Sequence, residues 1–275
     1  MSTESIAPLT AQLEQKHVQL QDLLRDMETV VVAFSGGVDS SLVLKVAAEV
    51  LGSSVLAVTA VSPTFPKLEL TAVRCLSQEI GVPLVIVETN QLEIPAFVRN
   101  DATRCYHCKT DLYRRLTRLA ADRGFRHVVD GTQCDDFSEE RPGIQAAQAL
   151  GVRSPLVEAA LTKSEVRALA KKLNLSNWDK PAAACLSSRI PRGLAVTPER
   201  LRRVEEAEAF LFQEGLKHLR VRDHDGLARI EVDPADFPAF YEKSRRQRLL
   251  ARFKELGFRT VTLDLEGYRP GGGNT

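Results

Sequence analysis

Thr29-Val30-Val31-Val32-Ala33-Phe34-Ser35-Gly36-Gly37-Val38-Asp39-Ser40-Ser41 decides the fold. The β-branched run over residues 29–34 reads as a short buried parallel strand. Leu42 to Leu51 reads as a helix stopped by Gly52. The loop between them, SGGVDSS, lies where backbone N–H groups and a helix dipole converge on an anion. Its glycines allow close backbone approach, and Ser35, Ser40 and Ser41 add hydroxyl donors. Asp39 would repel bare phosphate, so it is expected to hold Mg2+ or to orient the loop. Neither GxxxxGK[ST] nor GxGxxG is present, which excludes the two commonest glycine-rich phosphate loops.

The alternation continues outward from this stretch. Strands are predicted over 54–61, 84–88 and 127–130, with helices over 68–80, 108–123 and 163–173 and a further amphipathic helix over 9–27. Such alternation predicts a doubly wound α/β fold, a parallel sheet with helices on both faces. The last of these strands runs into Asp130-Gly131-Thr132-Gln133-Cys134-Asp135-Asp136. Ligands bind at the carboxyl ends of such strands, so this loop is expected to face SGGVDSS. Gly131 and Thr132 would approach a nucleotide, and Asp135 or Asp136 would reach its Mg2+; a plain turn and helix cap is the alternative. Beyond residue 198 the order becomes α-β-β-α-β, a small α+β domain. The expected division is an N-terminal helix (1–28), a nucleotide domain (29–180), a cysteine loop (181–197) and the small domain (198–275), with a frayed tail RPGGGNT.

Composition narrows the classes. The 275 residues are 44% apolar and 27% charged, ordinary for a globular protein. Lys plus Arg number 37 and Asp plus Glu 36, so the net charge of +1 gives no global footprint for nucleic acid or an anionic membrane. No apolar run is long enough for a membrane span, and MSTESIAPLTAQLEQ lacks the regions of a signal peptide. Five cysteines, at 75, 105, 108, 134 and 185, do not make a secreted disulfide framework. The expectation is a soluble cytoplasmic protein.

Cys105-Tyr106-His107-Cys108 opens a predicted helix, and the i, i+3 spacing puts both sulfurs on one face. Two cysteines do not complete a zinc or iron–sulfur site. A redox pair, a zinc or structural role, and a three-cysteine cluster completed by Cys185 all remain open. Cys185 lies in Lys180-Pro181-Ala182-Ala183-Ala184-Cys185-Leu186-Ser187-Ser188-Arg189-Ile190-Pro191-Arg192-Gly193. Its basic neighbours Lys180, Arg189 and Arg192 would favour a thiolate. Cys75 reads as core and Cys134 as a loop thiol. The charges of Glu205, Glu206 and Glu208, and the basic helix over 241–256, read as solvated faces.

VAFSGGVDSS resembles the phosphate loop of the ATP pyrophosphatase (PP-loop) superfamily. With KPAAACLSSRIPRG and LRVRDHDGLARIEV, the chain resembles the LarE family from about Val30 to Leu265. The resemblance implies an adenine-nucleotide α-hydrolase-like fold and an ATP-dependent sulfur transferase. Such an enzyme adenylates carboxylates of pyridinium-3,5-biscarboxylic acid mononucleotide, releases pyrophosphate and makes thiocarboxylates for the nickel-pincer nucleotide cofactor. It implies a nucleotide contact for Ser35 to Ser41 with Val38 among them, and Mg2+. In some members the cysteine matching Cys185 surrenders its own sulfur; members with a cysteine trio use a [4Fe–4S] cluster. Cys105, Cys108 and Cys185 match the trio and favour the second, catalytic type.

The substrate that the resemblance implies is anionic, and arginine forks suit its phosphate and carboxylates. Ser188, Arg189, Arg220 and Arg222 are the candidate contacts, the last two sharing one strand face. Implied partners are enzymes of the cofactor pathway, an unidentified sulfur donor and further copies of the chain. Competing readings are a PP-loop tRNA-thiolation enzyme, an ammonia-using synthetase and a non-catalytic nucleotide-binding module. Near-neutral charge and the lack of a paired-CxxC zinc ribbon count against the first.

Overall fold

A computed structural model describes residues 10–138, 142–181 and 184–269. The expected frayed tail from Pro270 onward, and Ala182 and Ala183 of the cysteine loop, lie outside these residues. In chain order the first elements are α1 (Ala11–Met27), β1 (Val30–Ala33), α2 (Val38–Leu51), β2 (Val55–Val61), α3 (Lys67–Ile80) and β3 (Leu84–Glu88). Next come α4 (Pro95–Val98), α5 (Arg104–Asp122), β4 (His127–Val129), α6 (Pro142–Ala149), α7 (Pro155–Glu158) and α8 (Lys163–Lys172). The chain continues with α9 (Pro198–Gln213), β5 (Leu219–His224), β6 (Leu227–Val232), α10 (Lys243–Glu255) and β7 (Thr260–Leu263). No helix among the described residues is long and apolar enough to cross a membrane.

The chain forms two compact units. Unit one holds the described residues up to 62, then 67–89 and 105–181. Unit two holds 63–66, 90–104 and the residues from 184 on. The sequence reading drew contiguous blocks. Instead, two short stretches between strands of unit one pack with the C-terminal unit.

Unit one is a parallel sheet of order β3-β2-β1-β4, the expected doubly wound arrangement. Strand alternation gives β1 two buried faces. Val31, Leu56, Val58 and Val128 pack against Tyr113, Leu116 and Ala120 of α5 and Ala147 of α6. Val30 and Val32 face the other way and are fully buried, on the side where α2 lies between α1 and α8. α1 follows its apolar spacing, burying Leu13, Leu20, Leu24 and Met27. His17 joins that face, with its Nε2 buried and without a hydrogen bond.

Burial holds the His17 imidazole below its ordinary value of 6.5, against the opposing pull of Glu49. Unfolding restores the normal affinity, so the unfolded chain binds the extra proton. Stability therefore rises with pH through this window and is lost as pH falls below about 6.5. In urea melts at pH 7.5 and 5.5, His17→Leu is expected to lose less stability on acidification than the wild type. Equal losses would show that His17 carries none of the dependence.

Unit two is a three-stranded sheet of order β5-β6-β7, with β5 and β6 antiparallel and β6 and β7 parallel. The hairpin turns at Asp225 (φ 54°) and Gly226 (φ 87°), the left-handed pair a tight two-residue turn requires. The Asp223 carboxylate accepts the Gly226 N–H at 2.7 Å and fixes that turn. Leu219, Val221, Ala228, Ile230 and Val232 bury one face of the sheet with Leu211, Leu249 and Phe253 of the two helices. The alternate residues, Arg220, Arg222, Arg229 and Glu231, stand on the other face.

Candidate active site

The SGGVDSS loop in unit one is a strand-to-helix cradle. Gly37 caps α2, and helix geometry begins at Val38, a full turn before the apolar periodicity indicates. Gly36 has φ +71°, and a Cβ there would meet Val73 Cγ2 at 2.7 Å. The Ser40 hydroxyl sits 3.1 Å from the Gly37 carbonyl and 3.1 Å from Ser35 Oγ, and it accepts the Ser35 N–H at 3.3 Å. The serines thus brace the loop as well as offering donors. Both Asp39 carboxylate oxygens accept from Lys163 Nζ at 2.6 Å.

The Asp130–Asp136 loop does face this cradle. A Cβ on Gly131 would lie 2.6 Å from the Ser40 nitrogen and 2.9 Å from its Cα. Buried Asp130 shapes the loop, accepting from Tyr113 Oη (2.8 Å), Thr132 N (3.1 Å), Thr132 Oγ1 (2.9 Å) and Ser154 Oγ (2.8 Å). Burial pushes the Tyr113 phenol up, so it stays protonated and donates. Asp135 accepts the Lys163 N–H at 2.8 Å, joining the loop to the start of α8.

A second clamp was not anticipated. Asn177 Nδ2 donates to the Gly36 carbonyl (3.2 Å) and to Ser41 Oγ (2.9 Å). Lys180 Nζ donates to the same Gly36 carbonyl (3.3 Å) and pairs with Glu69 at 2.6 Å. Lys180 was read as a neighbour of Cys185; its described partners belong to the phosphate loop and α3. Cys75, expected in the core, is exposed. Val73, Leu76 and Ser77 form the buried stripe of α3, and Cys75 turns away from it, lining a cleft of about 390 Å³ with Asn177 and Lys180.

The CxxC pair occupies the first turn of α5, which starts at Arg104 rather than Cys108. None of the five cysteines is in a disulfide; Cys105 and Cys185 are exposed, and Cys108 and Cys134 are partly so. Cys105 and Cys108 belong to unit one and Cys185 to unit two. Among the described residues no three His, Cys, Asp or Glu side chains gather as a metal-binding group.

In unit two, Cys185 caps a 3-10 turn over Leu186–Arg189, with its Sγ 2.9 Å from Ser187 Oγ. The Cys185 carbonyl accepts from the Ser188 N–H, the Ser188 hydroxyl and Arg189 Nη1. Leu186 N–H donates to the Thr64 carbonyl at 2.9 Å. The backbone beneath the exposed thiol is therefore firmly held. Arg189 forms a two-pronged pair with Glu208, at 2.9 and 3.0 Å, and both are buried. Glu208, read as surface charge, is an internal counter-ion that also accepts the Val221 N–H at 3.1 Å. Arg222 pairs in the same fashion with buried Glu231 and donates to the Ser188 carbonyl at 2.9 Å. Arg220 donates to the Leu219 carbonyl at 2.8 Å and lies over the Tyr268 ring. Burial first, and then Arg189, pull the Arg220 guanidinium below its usual affinity, with Glu208 opposing them.

The basic helix α10 is balanced locally. Arg248 pairs with Glu214 at 2.9 Å, and Arg252 with Glu206 and Glu255 at 3.0 and 3.3 Å. These pairs are what a solvated, charge-rich helix face presents.

A parallel sheet, a glycine–serine loop opening α2, and a second loop pressed on that helix's first turn define a PP-loop nucleotide-binding protein. The NAD synthase family profile matches residues 12–112, the stretch that carries this loop. The chain is 40% identical over 95% of its length to the pyridinium-3,5-bisthiocarboxylic acid mononucleotide synthase of Lactiplantibacillus plantarum, covering 94% of that protein. It is 44% identical over 94% of its length to an uncharacterized protein of Synechocystis sp., covering 97% of it. An uncharacterized protein of Methanocaldococcus jannaschii is 28% identical over 92% of the chain. The chain belongs to the LarE family of PP-loop enzymes.

Proposed function

We propose that this enzyme converts the carboxylates of pyridinium-3,5-biscarboxylic acid mononucleotide into thiocarboxylates, using ATP. The observation that carries the reading is the pairing, in one chain, of a phosphate cradle with an exposed cysteine on a clamped loop. A substrate carboxylate oxygen attacks the α-phosphorus of ATP, the bond to the bridging oxygen breaks, and pyrophosphate leaves. Sulfur then attacks the acyl carbon, and AMP departs with the carboxylate oxygen. Two such rounds complete one substrate.

In this reading, the backbone of residues 35–41 and the Ser35, Ser40 and Ser41 hydroxyls hold the phosphates. Gly131 and Thr132 close the nucleotide side. Carboxylate oxygen is the donor Mg2+ prefers, and Asp39, in the first turn of α2, would hold the ion that accompanies the triphosphate. Ser188, with Arg189, Arg220 and Arg222, would seat the anionic groups of the substrate. Arg189 and Arg222 are held in place by the carboxylates of Glu208 and Glu231.

Cys105, Cys108 and Cys185 suit a [4Fe–4S] cluster in donor type: three thiols outside any disulfide and at least partly accessible, two of them on one helical turn. They would hold it as the three protein ligands. When bound, such a cluster supplies one iron without a protein ligand, able to carry a sulfide. The sulfur donor that renews it is a separate cytoplasmic partner, and the enzyme assembles with copies of itself.

The test is pyrophosphate release measured with and without the pyridinium substrate, on anaerobically reconstituted protein. Release that depends on the substrate, with thiocarboxylate formed and about four irons per chain, is the expected result. Iron lost in Cys105→Ala, Cys108→Ala and Cys185→Ala would assign the ligands. Release independent of the substrate would overturn the function. Thiocarboxylate formed without iron, with loss of sulfur from Cys185 itself, would replace the cluster by a sacrificed cysteine.

A further inference from the structure

We propose that Arg104 is a positioning residue for the sulfur step, tying the backbone that enters Cys105 to the loop that carries Cys185. The inference rests on the role given to Cys185 above. Arg104 is buried at 8% exposure, although it directly precedes an exposed cysteine. Its Nη1 donates to the Ser187 carbonyl at 2.9 Å and to Asn100 Oδ1. Ser187 is fully buried, two residues beyond Cys185, and its hydroxyl touches the Cys185 sulfur.

Asn100 completes the device. It is fully buried and left-handed, φ 57°, a conformation asparagine tolerates better than most residues. Its Oδ1 accepts from Arg104, which points Nδ2 at the carbonyls of Ile190 (3.2 Å), Pro191 (2.8 Å) and Leu194 (2.7 Å). The Asn100 carbonyl in turn accepts the Gly193 N–H at 3.1 Å. One Arg–Asn pair therefore grips the cysteine loop on both sides of Arg189.

The described hydrogen bonds of Arg104 go to neutral acceptors alone. Burying a cation against neutral dipoles is costly. That cost is borne where the two bonds fix the backbone on either side of Arg189, beside the Cys185 turn.

The test compares full-length wild type, Arg104→Met and Arg104→Lys. Two readouts are taken: iodoacetamide labelling of each cysteine in the reduced, iron-free protein, and thiocarboxylate formed per pyrophosphate released. Arg104→Met is expected to change the Cys185 labelling rate several-fold while Cys75 and Cys134 keep theirs. Its sulfur yield should fall about tenfold, the loss expected for one charge-assisted hydrogen bond. Arg104→Lys should recover part of both. Unchanged Cys185 labelling and unchanged yield would overturn the proposal. So would a uniform rise at all cysteines, which would mark a general loss of structure. If wild type releases no substrate-dependent pyrophosphate, the functional reading fails, and the labelling arm still decides whether Arg104 holds the loop.

Discussion

Cys185→Ala is expected to lower thiocarboxylate formation by more than ~1,000-fold, the order seen when one member of a catalytic unit is removed. Alanine fits the site: the cysteine is exposed, and the backbone of its turn is fixed by Ser188, Arg189 and Leu186 rather than by the sulfur. The fold should survive, with a melting temperature close to wild type. The adenylation step needs the phosphate cradle and a carboxylate, not a thiol, so pyrophosphate release should fall far less than sulfur transfer. A rapid-quench assay that counts both products reads the split directly. Thiocarboxylate yield unaffected by the substitution would remove Cys185 from the mechanism altogether.

Gly131→Ala is expected to cut substrate-dependent pyrophosphate release by about 100-fold, the order associated with a 1 Å misplacement of reacting groups. The added methyl would lie 2.6 Å from the Ser40 nitrogen and 3.0 Å from the Asp39 carbonyl carbon. Both are backbone atoms of a helix's first turn, so no flexible side chain can swing aside. Either the Asp130 loop lifts, against its bonds to Tyr113, Thr132 and Ser154, or the first turn of α2 shifts. Each outcome moves a wall of the cradle. Overpacking of this sort also costs about 1–3 kcal/mol of stability. Gly81→Ala is the control: it is strained by φ +82° but meets nothing within 4 Å, so it should lose stability and keep its rate. Gly131→Ala with wild-type kinetics would mean that the loop does not contribute to the nucleotide site.

The elements that carry the cradle were legible in the chain. A β-branched run, a glycine–serine loop and a helical stripe each follow from local chemistry, and together they place an anion site. Helix starts were harder to see. The first turns of α2 and α5 are polar or glycine-flanked, so apolar spacing marks them one turn late. Cys75 was misread because apolar neighbours in sequence are not neighbours on a helix. The Arg189–Glu208 pair was invisible for a different reason: its partners are 19 residues apart on a loop and a helix, and no periodicity links them. The same holds for Asn100 and Arg104, whose work depends on carbonyls some ninety residues later. Arginines chosen for their forks were found near the cysteine loop, yet two of them already grip buried glutamates.

The threading of the chain between its two units has a consequence for synthesis. Every strand of the parallel sheet has been synthesised by residue 129, and N-terminal domains generally fold first. Residues 63–66 and 90–104 emerge in that same interval, but their partners lie beyond residue 184. The nascent sheet must therefore form while holding out two stretches that include Asn100 and Phe97, both buried in the finished molecule. A truncation at the apparent boundary near residue 181 would leave them permanently stranded. Removing the C-terminal unit should give an aggregation-prone fragment rather than a trimmed nucleotide domain.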